Sequence, residues 1–182
     1  MDAPTPRPLV SELARYDRLV EVGIGDRPAV ARALADRGRA VVGIDVDPGE
    51  RTRAAERDVS AAERDVSAAE RDVSAAERDA GAAEDSTGGS FEVVEGDVVS
   101  LAESDPIAVL SGSVPERGVD AVYARRLPAE LQRPTVLLAE RLDAACLFTT
   151  LGFEEPVVPV ERRSLSGTTL YVARGRGESD RD

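Results

Sequence analysis

Four residues near the start of this chain have the types and spacing of a nucleoside site. One apolar run closes on Glu21, Gly23 and Gly25, and a second closes on Asp45, 20 residues after Gly25. Strand, glycine turn, helix and strand in that order make a nucleotide-binding βαβ unit, whose acid at the second strand tip takes the hydroxyls of a ribose. Glycines 23 and 25 let the chain turn sharply and let a ligand lie against bare main chain. The dinucleotide form of this turn has a third glycine three residues after the second. That place is held here by Pro28, which offers no N–H to a pyrophosphate and suits the first turn of a helix. Glu21 likewise repels a pyrophosphate and favours a cationic sulfonium or amino group. S-adenosylmethionine joins adenosine to a cationic tail without phosphate, and these residues fit it better than NAD.

Ligands of open α/β sheets bind at the carboxyl ends of strands, near the switch in strand order. Asp97 follows the third apolar run, where an acid can accept the adenine amino group or cap a local turn. After the fourth run come Tyr123, Ala124, Arg125, Arg126, Leu127, Pro128, Ala129, Glu130 and Leu131. Tyr123, Arg126 and Glu130 are the candidate substrate contacts. Arg126 can clamp a carboxylate or phosphate bidentately, or pair with a surface acid, as Arg125 is expected to. Glu130 can serve as a base, as can Asp97, or simply rest at a helix N-terminus where negative charge is favoured. No residue stands out as catalytic, because a sulfonium is reactive enough for methyl transfer to need little beyond positioning.

Composition removes several chemistries. There is no histidine, and all 23 basic residues are arginine. Imidazole catalysis, histidine-ligated metals and lysine Schiff bases are therefore excluded. The one cysteine, Cys146, sits in an apolar run and reads as core packing; it supports neither a disulfide framework nor a metal cluster, and no metal is expected. No apolar run approaches the length of a membrane span, and the proline-bearing start lacks a signal-peptide core. A cytoplasmic protein without membrane partners is expected. The net charge of −12 opposes non-specific nucleic-acid binding, and DNA is not expected. With abundant Asp, Glu, Ala and Val, it also resembles the composition of salt-loving archaeal proteins. In that setting an acidic surface maintains solubility and weighs little against an RNA substrate.

The elements that position these residues alternate. Residues 1–8 are expected to be disordered. A helix is predicted over 9–16, a strand over 18–22, a helix over 28–37 closed by Gly38, and a strand over 40–44. Then a heptad, Ala-Ala-Glu-Arg-Asp-Val-Ser, occurs three times unchanged over 54–74, with a fourth copy over 75–81 altered in its last two residues. As a coiled coil its seam is thin: valines 59, 66 and 73 alternate with alanines, and the flanking positions are acidic. Residues 54–85 are therefore read as an insertion, a solvated marginal helix or disordered arm grown from the crossover between strands two and three. Further strands are predicted over 91–94, 119–123 and 145–149, a short helix or loop over 106–110, and a helix over 128–142 with Leu131, Val136, Leu137, Leu138 and Leu142 on its buried side. A β-hairpin over 157–162 and 168–174 ends the domain, and residues 175–182 form a disordered tail. The fold expected is a single Rossmann-like, doubly wound α/β domain over 9–174, its mostly parallel sheet finished by a C-terminal antiparallel hairpin.

The Glu21–Gly25 turn, Asp45, Gly96-Asp97 and the stretch from Tyr123 to Leu131 together resemble the small archaeal uncharacterised protein family 0146. Tyr123, Arg126, Pro128, Glu130 and Leu131 match that family's pattern after strand four; Leu127 departs where a second proline is common. The resemblance covers most of the chain apart from the repeat. It implies a trimmed class I methyltransferase fold with no established activity. The function expected is S-adenosylmethionine binding, with methyl transfer to a small molecule or RNA if the protein is an enzyme. The alternative is a non-catalytic nucleotide- or metabolite-binding or regulatory module. An NAD-dependent oxidoreductase is disfavoured by Pro28 and by the lack of histidine and lysine.

Overall fold

Each apolar run of the chain becomes a strand of one seven-stranded sheet. The computed structural model describes residues 7–74, 89–110, 112–113, 118–152 and 154–175; the tails expected to be disordered fall outside them save residues 7, 8 and 175. The order along the chain is α1 (Arg7–Leu13), β1 (Arg18–Val22), α2 (Ala29–Ala35), β2 (Ala40–Asp45), α3 (Glu50–Ser74), β3 (Phe91–Glu95), α4 (Val98–Glu103), α5 (Pro106–Val109), β4 (Ala121–Leu127), α6 (Ala129–Arg141), β5 (Ala145–Thr150), β6 (Glu161–Leu165) and β7 (Thr168–Arg174). The sheet runs β3-β2-β1-β4-β5-β7-β6. Its first five strands are parallel, and β7 lies antiparallel between β5 and β6. Strand order therefore reverses between β1 and β4, which makes their carboxyl ends the switch point of the sheet.

Alternation along the strands divides the core in two. Leu19, Val41, Ala121, Tyr123 and Leu147 face α1, α2 and the first turns of α3. Val20, Val42, Ile44, Val122, Cys146 and Phe148 face α4 and α6. The doubly wound, mostly parallel sheet is thus as expected. At the sheet's lower edge Asp120, 1 % exposed, accepts from the Arg18 amide and guanidinium at 2.6–3.0 Å and ties the start of β1 to the start of β4. That bond raises the Arg18 pKa.

Several boundaries differ from expectation. β4 runs to Leu127 rather than ending at Tyr123, so Arg125 and Arg126 are strand residues along with Tyr123, which was expected to be one. The outer strand of the hairpin begins at Glu161 instead of residue 157, because Pro159 has no N–H to give a ladder. Leu137 is 39 % exposed, and Thr135, Gln132 and Ala139 are buried beside Leu138 in its place. Cys146 is buried as expected, and desolvation pushes its thiol up to about 12.

The first copy of the heptad repeat belongs to the crossover helix rather than to an outgrowth. α3 starts at Glu50, before the repeat; Ala55 and Val59 are buried against α2 and the sheet, and Thr52 is buried with its hydroxyl on the Gly25 carbonyl. Glu56 accepts the amide of Val93 at 2.7 Å, covering a backbone donor of edge strand β3. Arg32 reaches Asp58, and Arg53 reaches Glu95. The expected insertion boundary at residue 54 therefore lies inside packed structure; residues 75–85 of that expectation lie outside the described residues. No helix among the described residues is long and apolar enough to cross a membrane. Chemically identical repeat copies should respond differently to the same mutation: Ala55→Ser, at a buried position, should cost about 1–2 kcal/mol in urea unfolding, whereas Ala62→Ser, the same position of the next copy and exposed, should stay within about 0.5 kcal/mol.

Candidate functional site

The turn after β1 supplies the floor of the site. Gly23 and Gly25 have φ of +70° and +53°, a region that only glycine enters without strain. The Gly23 amide bonds the Ile44 carbonyl at 2.9 Å, while Gly25 accepts at its carbonyl from the Thr52 hydroxyl at 2.7 Å and from the Gly49 amide at 3.1 Å. The loop is therefore sewn to β2 and to the start of α3. A Cβ built on Gly23 would meet nothing within 4 Å, and one on Gly25 would meet only the Asp45 carboxylate at 3.9 Å. The space above the turn is open, as a ligand lying on bare main chain requires.

Asp45 is held at the tip of β2 by two amides: Gly25 N donates to Oδ2 at 2.8 Å and Asp47 N to Oδ1 at 3.0 Å. Each oxygen keeps a lone pair, so the carboxylate is oriented and still able to accept two hydroxyls. A cleft of about 90 Å³ opens beside it, lined by Val22, Gly23, Ile44, Gly96, Asp97 and Leu131 among others. Asp97 stands on its wall as the N-cap of α4, accepting from the Val99 and Ser100 amides at 3.1 and 3.3 Å and from the Ser100 hydroxyl at 3.1 Å. The Val99 bond, with those from Ser100, holds its pKa below the usual carboxylate range. That makes Asp97 a poor base and favours the capping role for its carboxylate.

Glu21 differs most from its expected role. It is fully buried, and it accepts the Tyr123 hydroxyl at 2.6 Å and the Arg125 Nε at 2.7 Å, with Nη2 in ion-pair contact at 2.7 Å. Arg125 also donates to the Arg27 carbonyl in the glycine loop. An ionised carboxylate in this interior would be costly without a partner, and the guanidinium removes the free charge that was to attract a sulfonium. Tyr123, expected as a substrate contact, is 1 % exposed and commits its hydroxyl to Glu21. Its desolvation, with Glu21 beside it, raises its pKa well above the ordinary value and keeps it a phenol. Arg125, expected at the surface, is the member of this cluster that sequence reasoning missed. The available signal was parity: β1 pairs β4 with Glu21 opposite Tyr123, and Arg125 two residues on shares that face.

Arg126 and Glu130 do lie outward. Arg126 is exposed at φ +55°, where the β4–β5 ladder slips between Ala124 and Leu127, and its amide is held by the Thr149 hydroxyl at 2.9 Å. Glu130 is exposed in the first turn of α6. A second, polar cavity of about 340 Å³ lies between the end of β5 and the hairpin, lined by Thr149, Thr150, Arg162, Thr168, Thr169 and two glutamates.

A family model described as "Uncharacterised protein family (UPF0146)" matches residues 6–77 and 113–175. Relatives called UPF0146 proteins from two strains of the halophilic archaeon Halobacterium salinarum are 36 % identical over 174 residues, covering 93 % of this chain and 96 % of theirs. Among solved structures, an RNA methyltransferase from Salinibacter ruber in complex with S-adenosyl-L-homocysteine is similar at a TM-score of 0.50 and 26 % identity, over 99 % of this chain and 98 % of that one. A hypothetical protein of Thermus thermophilus shares the fold at a TM-score of 0.53 and 18 % identity, over 94 % and 87 %.

The buried cluster generates two expectations. Glu21→Ala, which leaves the Arg125 charge buried and unpaired, should cost about 3–5 kcal/mol in chemical denaturation. Because the Tyr123 pKa is raised on folding, its stabilisation is whole below the unfolded value of 10.0 and is lost as pH climbs past it. Tyr123→Phe should flatten the fall in unfolding free energy above pH 10.0, leaving the slope from Cys146, which runs from 9.0 to about 12.

Proposed function

This chain belongs to the uncharacterised protein family UPF0146, and we propose that it binds S-adenosylmethionine along the carboxyl ends of β3, β2 and β1. The observation that carries this reading is the Asp45 carboxylate, fixed by the Gly25 and Asp47 amides beside an open glycine main chain. Asp45 takes the ribose hydroxyls, Gly23 and Gly25 lie beneath the ligand, and the cleft at Gly96, Asp97 and Leu131 receives the base. Asp97 contributes there mainly by fixing the start of α4. The similarity to a methyltransferase complexed with S-adenosyl-L-homocysteine over nearly the whole of both chains supports the choice. NAD fits less well, because Pro28 precedes α2 where a pyrophosphate would seek an amide.

When bound, S-adenosylmethionine supplies a methyl group already activated on sulfur. The chain's own residues then chiefly position an acceptor; of the two candidate bases, Asp97 is held by its capping bonds and Glu130 stays exposed. Arg126 and Glu130 meet the acceptor at the junction of β4 and α6, and Arg126 suits an acceptor with a carboxylate or phosphate, small molecule or RNA. In this reading the protein works in the cytoplasm and asks for neither membrane nor DNA. Capping of Asp97 and burial of Tyr123 favour a second reading, a module that binds the ligand without transferring its methyl group.

Calorimetry in molar KCl should give micromolar binding of S-adenosylmethionine and S-adenosylhomocysteine. Asp45→Ala should weaken it by about 30-fold, on the order of 2 kcal/mol for hydrogen bonds to a charged group. Tighter binding of NAD would reject the ligand. Radiolabelled methyl transfer into RNA and metabolite pools of a halophilic archaeon tests catalysis, and failure in both would leave the second reading.

A further inference from the structure

We propose that Arg125 is the anchor for the amino-acid carboxylate of the nucleoside cofactor, an assignment that rests on the cofactor reading above. The guanidinium carries five N–H donors. Nε and Nη2 are committed to Glu21 and to the Arg27 carbonyl. Nη1 has no partner among the described residues, yet it is not one of the buried unpartnered atoms, which are Arg39 Nε and Gln132 Nε2. It therefore meets solvent through the 13 % of the side chain that is open. Two donors of a rigidly held cation remain unused.

Their location is set by the ladder. Val22 pairs with Ala124, so Arg125 stands one step further along, beside Gly23 at the switch point. Across the strand ends the order is Asp97 two residues past β3, Asp45 at the end of β2, Gly23 just past β1 and Arg125 on β4, about 14 Å for three inter-strand steps. A ligand whose ribose rests on Asp45 and whose base lies toward β3 extends its other end over Gly23 to β4. In S-adenosylmethionine that end is an amino acid with a carboxylate. The other acids of this region, Asp26, Asp45 and Asp47, would repel it, and a fixed arginine supplies the opposing charge. Glu21 prevents the guanidinium from swinging away and balances it when the site is open. Arg27, the other arginine in the loop, has an exposed side chain with no fixed partner among the described residues.

The test is calorimetry with ligands that differ in the tail. Wild type should bind decarboxylated S-adenosylmethionine about 20-fold more weakly than S-adenosylmethionine, the scale of one charge-assisted pair. This arm needs no variant. The charge-balanced double variant Glu21→Gln/Arg125→Met should bind S-adenosylhomocysteine about 20-fold more weakly than wild type, with 5′-methylthioadenosine, which has no carboxylate, within about threefold. Arg27→Ser should leave both within about threefold. Equal wild-type affinity for the carboxylated and decarboxylated ligands overturns the assignment. So does methylthioadenosine weakening in step with S-adenosylhomocysteine, which would mean that Arg125 acts only through the loop. A wild-type protein that binds none of these nucleosides overturns the cofactor reading and the anchor together.

Discussion

A carboxylate buried at the switch point of the sheet dictates much of what surrounds it. Glu21 has no contact with solvent, and an ion in that position is tolerated only when its partners satisfy it. Two of them, Tyr123 and Arg125, come from β4, the strand that joins β1 where the order reverses. The cluster thus binds the two halves of the sheet at the edge where ligands enter. Through Arg125 and the Arg27 carbonyl it also reaches the glycine loop, so loop, strand β1 and strand β4 are held as one unit. At the opposite end of the same strand pair, Arg18 and Asp120 make a second ion pair. An acid in the upper half and an arginine in the lower half of β1 each meet the reverse charge, on β4 at Arg125 and just before β4 at Asp120, which opposes any slip in their register.

Immediately beyond the cluster β4 changes character. Arg126 adopts a left-handed backbone, an arrangement that costs a non-glycine residue of order 1–3 kcal/mol, and the ladder to β5 slips there. The Thr149 hydroxyl takes the amide that the slip releases from the ladder. The result is that consecutive arginines serve opposite environments. Arg125 turns inward to Glu21, while Arg126 is exposed. A regular strand would also alternate, but it would carry on pairing; the bulge ends the strand one residue later and lets Pro128 open α6 over the site.

The fold was legible in the sequence because its signals are local: apolar runs of strand length, glycine turns, and helical spacing between them. The glycine turn and Asp45 were legible for the same reason, and Asp45 is found bonded to Gly25 as the spacing of a βαβ unit demands. What was not legible depended on tertiary pairing. Glu21 and Arg125 are 104 residues apart, and only the β1–β4 register shows that they share a face. Reading Arg125 as a surface residue followed from seeing two adjacent arginines without the bulge that separates them. The repeat misled for a related reason. Its copies are identical in sequence, so nothing local distinguishes the one that buries Ala55 and Val59 from those that follow. Context, not composition, divides crossover from extension.

Neutralising Glu21 changes the basis on which a cationic ligand would be preferred. The remaining acids near the turn, Asp26, Asp45, Asp47 and Asp97, are exposed or half-buried, so their attraction acts largely through water. The relatives come from a halophilic archaeon, and at molar salt the screening length falls to about 3 Å. Over such a distance an acidic rim does little to steer or to hold a ligand. Selectivity in that medium must come from groups in direct contact: the two free lone pairs of Asp45, the bare main chain at Gly23, the missing amide at Pro28, and a guanidinium fixed in place by a buried counter-ion. Each of these works at hydrogen-bond range and is little weakened by salt. The net charge of −12 therefore bears on solubility, and recognition rests on short-range geometry at the ends of β2, β1 and β4.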